Sequence, residues 1–232
     1  MMGLRKFEIP PALAVLVFSL MLFGCNGGRT DVEQGAGVSS EKRKGELEEE
    51  LRRRFENPAA HFELGRLYQS EGLWAQAGYH YNVVVSFVPS HRRAQAGIVK
   101  VLLDSGDAAM AAASAEKYIK QVEGSTGELL ELGKAFSGQQ LDAYALACYT
   151  RALGASPKSA EVHKEIGYYY LGKGNKQLAR EYLSTSFQSD PTQADVATEL
   201  GRLGIEVRIP KPVEPVGDQR KKTLEQPDKA GQ

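Results

Sequence analysis

The sequence repeats itself with a period of about 34 residues. A glycine or valine recurs at this interval without a slip, and other columns of the same register hold aliphatic, aromatic or alanine residues. The aligned sets are Gly65, Val99, Gly133, Gly167 and Gly201 (the small column); Leu64, Ile98, Leu132, Ile166 and Leu200; Tyr68, Leu102, Phe136 and Tyr170; Ala77, Ala111, Ala145 and Ala179; and Tyr81, Ala115, Tyr149 and Leu183 (the aromatic column). A period of about 20 to 50 residues predicts a solenoid in which each repeat stacks on its neighbours.

Each repeat carries the signals of two helices and a turn between them. The turn positions are Gly72, Gly106, Gln140 and Gly174, and the closing prolines are Pro89, Pro157 and Pro191. Glycine at a turn ends a helix in the left-handed conformation, and proline prevents the second helix from continuing. Small residues in the glycine and alanine columns let two helices cross closely. We therefore expect an all-α fold of stacked helix pairs.

This period and these columns resemble the tetratricopeptide repeat (TPR). The resemblance implies an α-solenoid over residues 58–204, with helix–turn–helix units at 58–91, 92–125, 126–159 and 160–193 and a capping helix at 194–204. Unit two departs from the pattern, with Val99 in the small column, Ala115 in the aromatic column and Glu123 in place of proline. Since its second helix is rich in alanine, we expect looser local packing there.

The first 24 residues have the pattern of an export signal. Arg5 and Lys6 precede an apolar stretch over residues 12–23, and a helix of that length spans about 18 Å, short of a bilayer core of roughly 30 Å. A cleavable signal peptide therefore fits better than a membrane span. The residues Leu22-Phe23-Gly24-Cys25 resemble a bacterial lipobox. That resemblance implies a lipid anchor on Cys25, and the following Asn26 implies the outer membrane, facing the periplasm. The alternative is an unlipidated signal peptide with an incidental cysteine.

Three further segments flank the repeats. Residues 25–40 are rich in Gly and Ser and predict a flexible tether. Residues 41–57 are strongly charged, and Leu47, Leu51 and Phe55 form a narrow apolar stripe that predicts a helix packed on the first unit. Residues 205–232 contain four prolines among charged residues and predict a disordered tail.

The composition contains few signs of chemistry. The chain has 29 basic and 29 acidic residues, which argues against binding nucleic acid by bulk charge. No nucleophile elbow, zinc motif or phosphate-binding glycine loop is present in the sequence. We expect no catalytic site, cofactor or metal. The four histidines are interpreted as structural and Cys148 as a small packed residue.

One charged surface is a candidate binding site. In TPR proteins the first helix of each unit lines the concave groove, and basic residues recur there in this sequence. The candidate groove residues are Arg66, Arg93, Lys100, Lys134, Lys164, Tyr168 and Arg202. The alternative is a solvated face, since Glu63, Glu131 and Glu199 each precede a basic residue by three positions, a spacing that forms ion pairs within a helix.

The resemblances together predict a membrane-anchored periplasmic lipoprotein whose TPR solenoid is a scaffold for protein–protein assembly. Its partner is expected to be an envelope protein that presents an acidic or C-terminal peptide segment. A narrower hypothesis is a pilotin-like factor for assembling the secretin of a type IV pilus or secretion system. The hypothesis from another class is an accessory subunit of a cell-wall enzyme, for which the sequence offers only Tyr168, Tyr169 and Tyr170 as a sugar-stacking cluster.

Overall fold

The computed structural model of the chain describes residues 30–210, with side chains from residue 39 onward. The chain divides into two compact parts, Met1–Glu41 and Lys42–Gln232. The described residues of the first part are helical, and those of the second part form helices and turns without strands. The helices are α1 Thr30–Arg53, α2 Pro58–Ser70, α3 Trp74–Phe87, α4 Arg92–Asp104, α5 Ala108–Val122, α6 Thr126–Gly138, α7 Asp142–Ala155, α8 Ala160–Gly172, α9 Lys176–Ser189 and α10 Ala194–Arg202.

The helix starts reproduce the period of the sequence. The first helices of successive repeats begin at evenly spaced positions, which are Pro58, Arg92, Thr126, Ala160 and Ala194. The second helices follow the same interval and begin at Trp74, Ala108, Asp142 and Lys176. The fold is therefore the predicted all-α solenoid of TPR type. Among residues 30–210, no helix combines the length and apolar character that a membrane span requires.

The turn column explains one departure from glycine. Gly72, Gly106 and Gly174 have φ of +74°, +91° and +73°, and Gln140 takes the same place with φ of +59°. Left-handed backbone costs a residue with a Cβ more than it costs glycine. Gln140 therefore places a modest strain in the turn of unit three.

The small and aromatic columns fit each other in space. The ring of Tyr81 is fully buried between Gly65 of α2 and Gly97 of α4. A Cβ on Gly65 would lie 2.7 Å from the ring, and a Cβ on Gly97 would lie 2.6 Å from its other edge. Gly133 meets Tyr149 in unit three in the same way, at 2.7 Å. A residue larger than glycine does not fit at these positions, because an aromatic ring occupies the helix crossing.

Unit two exchanges the volumes of these two columns. Val99 fills the small position and Ala115 the aromatic position, and both side chains are fully buried. Ile119 and Val122 on the same second helix are each 1% exposed. The looser packing expected of unit two is therefore not seen in its core, because the larger valine offsets the missing ring.

The N-terminal helix begins earlier than expected. α1 starts at Thr30, so residues 30–40 of the predicted flexible tether are helical. Once a helix has formed, each added residue gains a hydrogen bond, and two glycines oppose this by only about 1 kcal/mol each. The helix also ends earlier, at Arg53, because Asn57 and Pro58 begin α2: the Asn57 side chain accepts hydrogen bonds from the backbone N–H groups of Ala59 and Ala60.

The two ends of the repeat array are covered by short segments. Leu47 of α1 is 1% exposed and packs with Ala60 and Leu64 of α2, and Leu51 packs against the same cluster. Phe55, the third residue of the predicted apolar stripe, lies beyond the end of α1 and is 51% exposed. At the other end, Ile205 and Val207 pack against the core formed by α9 and α10. The first residues of the predicted disordered tail therefore belong to the folded solenoid, and residues 211–232 lie outside the described residues.

Candidate functional site

A basic cleft lies between α2 and α6. It has a volume of about 660 Å³. Phe62 and Arg66 of α2 form one wall, and Glu131, Lys134, Ala135 and Gly138 of α6, together with Gln139 directly after the helix, form the other. Residues 90–93, which comprise the turn before α4 and its first two residues, close one end. The repeat places the first helices of units one to three side by side, and this stacking creates the cleft.

The cleft continues into a smaller hollow. This hollow has a volume of about 250 Å³ and is lined by Arg66, Gln69, Ser70, Asp104 and Gln139. Arg66 and Gln139 are shared by the two, so the cleft and the hollow form one depression that follows α4 from its first turn to its last. Of the predicted groove residues, Arg66, Arg93 and Lys134 line the larger cleft.

Hydrogen bonds between side chains hold the walls together. The hydroxyl of Tyr81 donates to Oε1 of Gln69 at 2.6 Å, and Nε2 of Gln69 donates to Oε1 of Gln139 at 2.8 Å. This chain links α2 to the end of α6. Burial raises the pKa of the Tyr81 hydroxyl to about 12, and the nearby charges of Arg66 and Arg93 oppose that rise. Arg66 lines the smaller hollow together with Gln69 and Gln139 of this hydrogen-bond chain.

Two cations of the cleft have no carboxylate partner within residues 39–210. Arg66 and Arg93 are exposed, and within residues 39–210 neither forms an ion pair. The Arg93 guanidinium lies 4.9 Å from the ring centroid of Phe62, a cation–π arrangement that leaves its outer edge open to solvent. These two groups can accept an anionic ligand without first breaking a bridge within the described fold.

Two other cations at the cleft are partly neutralised. Lys134 lies 3.3 Å from a carboxylate oxygen of Glu165. Arg92 lies 3.3 Å from Glu128, and its Nε is buried without a hydrogen-bond partner. Glu131 is the one carboxylate among the lining residues of the cleft. The cleft therefore has an excess of positive charge concentrated at Arg66 and Arg93.

The remaining predicted groove residues are paired and lie outside the cleft. Lys100 bridges Asp104, and Arg202 lies 2.9 Å from Glu199. Lys164 lies 3.0 Å from Glu161, and the Tyr168 hydroxyl donates to Asp195 at 3.4 Å. Each of these four residues thus has a carboxylate partner within the described part of the solenoid.

The predicted ion pairs within helices are only partly formed. Of the three pairs at a spacing of three residues, Glu199 with Arg202 is present in the structure. Glu63 instead accepts two hydrogen bonds from Arg43, and Lys134 pairs with Glu165 of the next unit. Contacts between helices therefore decide which cation of the column is free.

Sequence reasoning missed several residues of the site and one contact between histidines. Phe62, Gln69, His91, Arg92 and Gln139 line the two hollows without belonging to the basic column. His61 and His80, interpreted separately from the sequence, bring their Nδ1 atoms within 2.8 Å of each other. The sequence feature that could have indicated this contact is the offset of 19 residues between the two histidines within one unit. His163 and Tyr182 have the same offset in unit four, and their ring centroids lie 6.0 Å apart.

The described residues hold no cluster of three or more His, Cys, Asp or Glu side chains suited to a metal. Burial raises the pKa of the Cys148 thiol to about 12, so this cysteine is a packed, unreactive side chain at neutral pH. Cys25, the predicted site of lipidation, lies outside the described residues.

No family model matches the chain, and no curated protein matches it significantly. Among solved structures, the chain is similar to MamA from Desulfovibrio magneticus RS-1, with 19% identity, a TM-score of 0.37, and coverage of 70% of this chain and 90% of that one. It is similar to YrrB, a TPR protein with an unusual peptide-binding site (15% identity, TM-score 0.36, coverage 74% and 88%). It is also similar to TTC0263, a thermophilic TPR protein from Thermus thermophilus (15% identity, TM-score 0.38, coverage 74% and 94%).

Proposed function

We propose that this protein is a periplasmic lipoprotein, anchored through Cys25 in the outer membrane, and that its TPR solenoid is a non-enzymatic scaffold for protein–protein assembly. Its basic cleft binds an acidic or C-terminal peptide segment of an envelope protein. The observation that carries this proposal is the cleft of about 660 Å³ in which Arg66 and Arg93 have no carboxylate partner within residues 39–210.

The dimensions and the charge of the cleft favour an extended peptide. An extended chain rises about 3.3 Å per residue, so a short segment fills a depression bounded by three neighbouring helices. A single exposed charge pair contributes only about 0.2 to 1 kcal/mol, but several like charges in a concave site focus the field and speed encounter with an anionic partner. Phe62 and Ala135 add apolar surface beside the two arginines.

The structure gives little support to the cell-wall enzyme subunit. Tyr169 is 8% exposed, and Tyr170 stacks on Tyr182 with ring centroids 5.6 Å apart. Since these rings are already packed, Tyr168 alone remains to meet a sugar. A pilus or secretin role is one form of the proposed scaffold, and the identity of the captured partner will decide it.

Photo-crosslinking in cells tests the proposed function. A benzophenone amino acid is placed at position 135, inside the cleft, or at position 117, an exposed site on α5 that does not line the cleft. We expect a discrete protein adduct in the membrane fraction from position 135 and none from position 117. Equal adducts from both positions, adducts from position 117 alone, or no adduct from either would contradict binding in the cleft.

A further inference from the structure

Glu63 does not form an ion pair with Arg66, its neighbour in the cleft. It stands three residues before Arg66 on α2, a spacing at which opposite charges normally pair along a helix. The carboxylate of Glu63 instead binds Arg43 of α1: Nε and Nη2 of Arg43 each donate a hydrogen bond of 2.7 Å to one carboxylate oxygen. Both hydrogen bonds are charge-assisted, and this two-point geometry is the one that arginine and carboxylate groups prefer.

The docked helix α1 presents Arg43 at this position. One turn further along the helix, Leu47 is buried against α2. Glu48 accepts a hydrogen bond from the Tyr68 hydroxyl at 2.8 Å, and Lys44 lies 2.7 Å from Glu71. Three contacts thus fix the register of residues 43–48 on α2, so the grip of Arg43 on Glu63 depends on α1 staying docked.

Arg66 remains within reach of Glu63. Its charge contributes, after the hydrogen bond and charge of Arg43, to lowering the pKa of the Glu63 carboxyl. If Arg43 withdrew, Glu63 would be left with Arg66 as its nearby cation on the same helix. A paired Arg66 would then offer less positive charge to an acidic ligand.

We propose that docking of α1 controls the basic cleft: Arg43 holds Glu63 away from Arg66, and Arg66 is thereby kept free to bind an acidic ligand. This inference rests on the proposed function, because it concerns the affinity of the same cleft. Arg43 does not line the cleft and is a positioning residue that acts through Glu63. Release of α1 lowers the affinity of the cleft for acidic segments, which couples the N-terminal helix to partner binding.

A double-mutant cycle tests the coupling in the full chain. The probe is a fluorescein-labelled decapeptide of alternating glutamate and serine, with a glutamine-for-glutamate decapeptide as its neutral control. Fluorescence anisotropy gives the Kd for wild type, Arg43→Gln, Glu63→Gln and the double variant. We expect Arg43→Gln to weaken binding of the acidic probe about two- to fivefold, the size of one exposed ion pair. In the Glu63→Gln background the same change should have no effect, because no carboxylate remains to occupy Arg66.

Each other outcome has a defined meaning. An equal loss from Arg43→Gln in both backgrounds would show that Arg43 acts only as a distant positive charge, and this overturns the coupling. No loss in either background overturns it as well, and helical circular dichroism checks that the variants are folded. If wild type fails to prefer the acidic over the neutral decapeptide, the acidic ligand of the proposed function is wrong and the coupling falls with it. Preference by wild type without dependence on Arg43 removes the coupling alone.

Discussion

The Nδ1 atoms of His61 and His80 lie 2.8 Å apart between α2 and α3. Nε2 of His61 also lies 3.0 Å from the carbonyl oxygen of Phe55, which can only accept a hydrogen bond. Nε2 of His61 is therefore the protonated nitrogen of a neutral ring, and its Nδ1 accepts from Nδ1–H of His80. The contact is lost when both rings are protonated, because each Nδ1 then carries a hydrogen and neither can accept.

This histidine pair predicts that stability falls in mild acid. Burial, followed by the charge of His61, lowers the pKa of His80 to about 4, and burial also lowers that of His61. The unfolded chain binds these protons near pH 6.5 and the folded chain binds them only at lower pH. Stabilisation by the pair is thus complete above about pH 6.5 and is lost as pH falls toward 4, by roughly 2 kcal/mol once solvent screening at the partly exposed His80 ring is allowed for. Urea unfolding at several pH values measures the loss.

A matched variant separates the histidines from other acid-titrating groups. Tyr68 stacks on His80, and its hydroxyl donates to the carboxylate of Glu48 on α1. Lys44 lies over the Tyr68 ring, and Tyr79 contacts the His80 ring. Because Glu48 also titrates in acid, the variant must leave its carboxylate in place. His80→Tyr does this and copies the arrangement of unit four. Between pH 6.5 and 4.5 we expect a shallower loss of stability in this variant than in wild type. Identical pH profiles would mean that the histidine pair does not govern the acid response.

Packing around Tyr81 predicts a large effect from one methyl group. Gly97→Ala would place a Cβ 2.6 Å from the ring, and Gly65 already confines the opposite edge. Because the ring cannot shift, we expect a loss of about 1 to 3 kcal/mol in the free energy of unfolding. Gly154→Ala in α7 is the control, since nothing lies within 4 Å of its Cβ position and alanine favours the helix by about 1 kcal/mol. Equal stabilities of the two variants in urea would mean that the crossing is not tightly packed.

The fold was predictable from sequence to the extent that it depends on local spacing. The repeat interval predicted the helix starts, and the pairing of Gly65 with a ring follows from two helices that cross within one unit. The site was less predictable because it depends on contacts between distant helices. Gln69 meets Gln139 across 70 positions, and Arg43 captures Glu63 across 20. No periodicity within a single repeat encodes either contact.

The lipid anchor is a prediction that rests on the sequence around Cys25. Two or three acyl chains, at about 0.8 kcal/mol per buried methylene, would hold the protein stably in a membrane. We expect Cys25→Ala to abolish metabolic labelling with palmitate and to leave an uncleaved precursor. Cys148→Ala, which removes the buried cysteine instead, should keep the label. Palmitate incorporation into the Cys25→Ala protein would refute lipidation at this residue.

Charge reversal within the cleft should weaken partner capture mainly through the association rate. Arg66→Glu combined with Arg93→Glu removes the two cations that have no carboxylate partner in the described fold and makes the cleft repel acidic segments. Lys117→Glu with Lys120→Glu changes the net charge equally on exposed sites of α5 and is the matched control.

Surface charges act over a Debye length of about 8 Å at physiological salt, and this length shrinks as salt rises. In surface plasmon resonance with the glutamate–serine decapeptide, the arginine variant should therefore show a slower association rate than the lysine variant at low salt. The difference between them should shrink as the salt concentration is raised. If the two variants lose association equally at every salt concentration, the net charge of the protein governs encounter and the cleft has no special role.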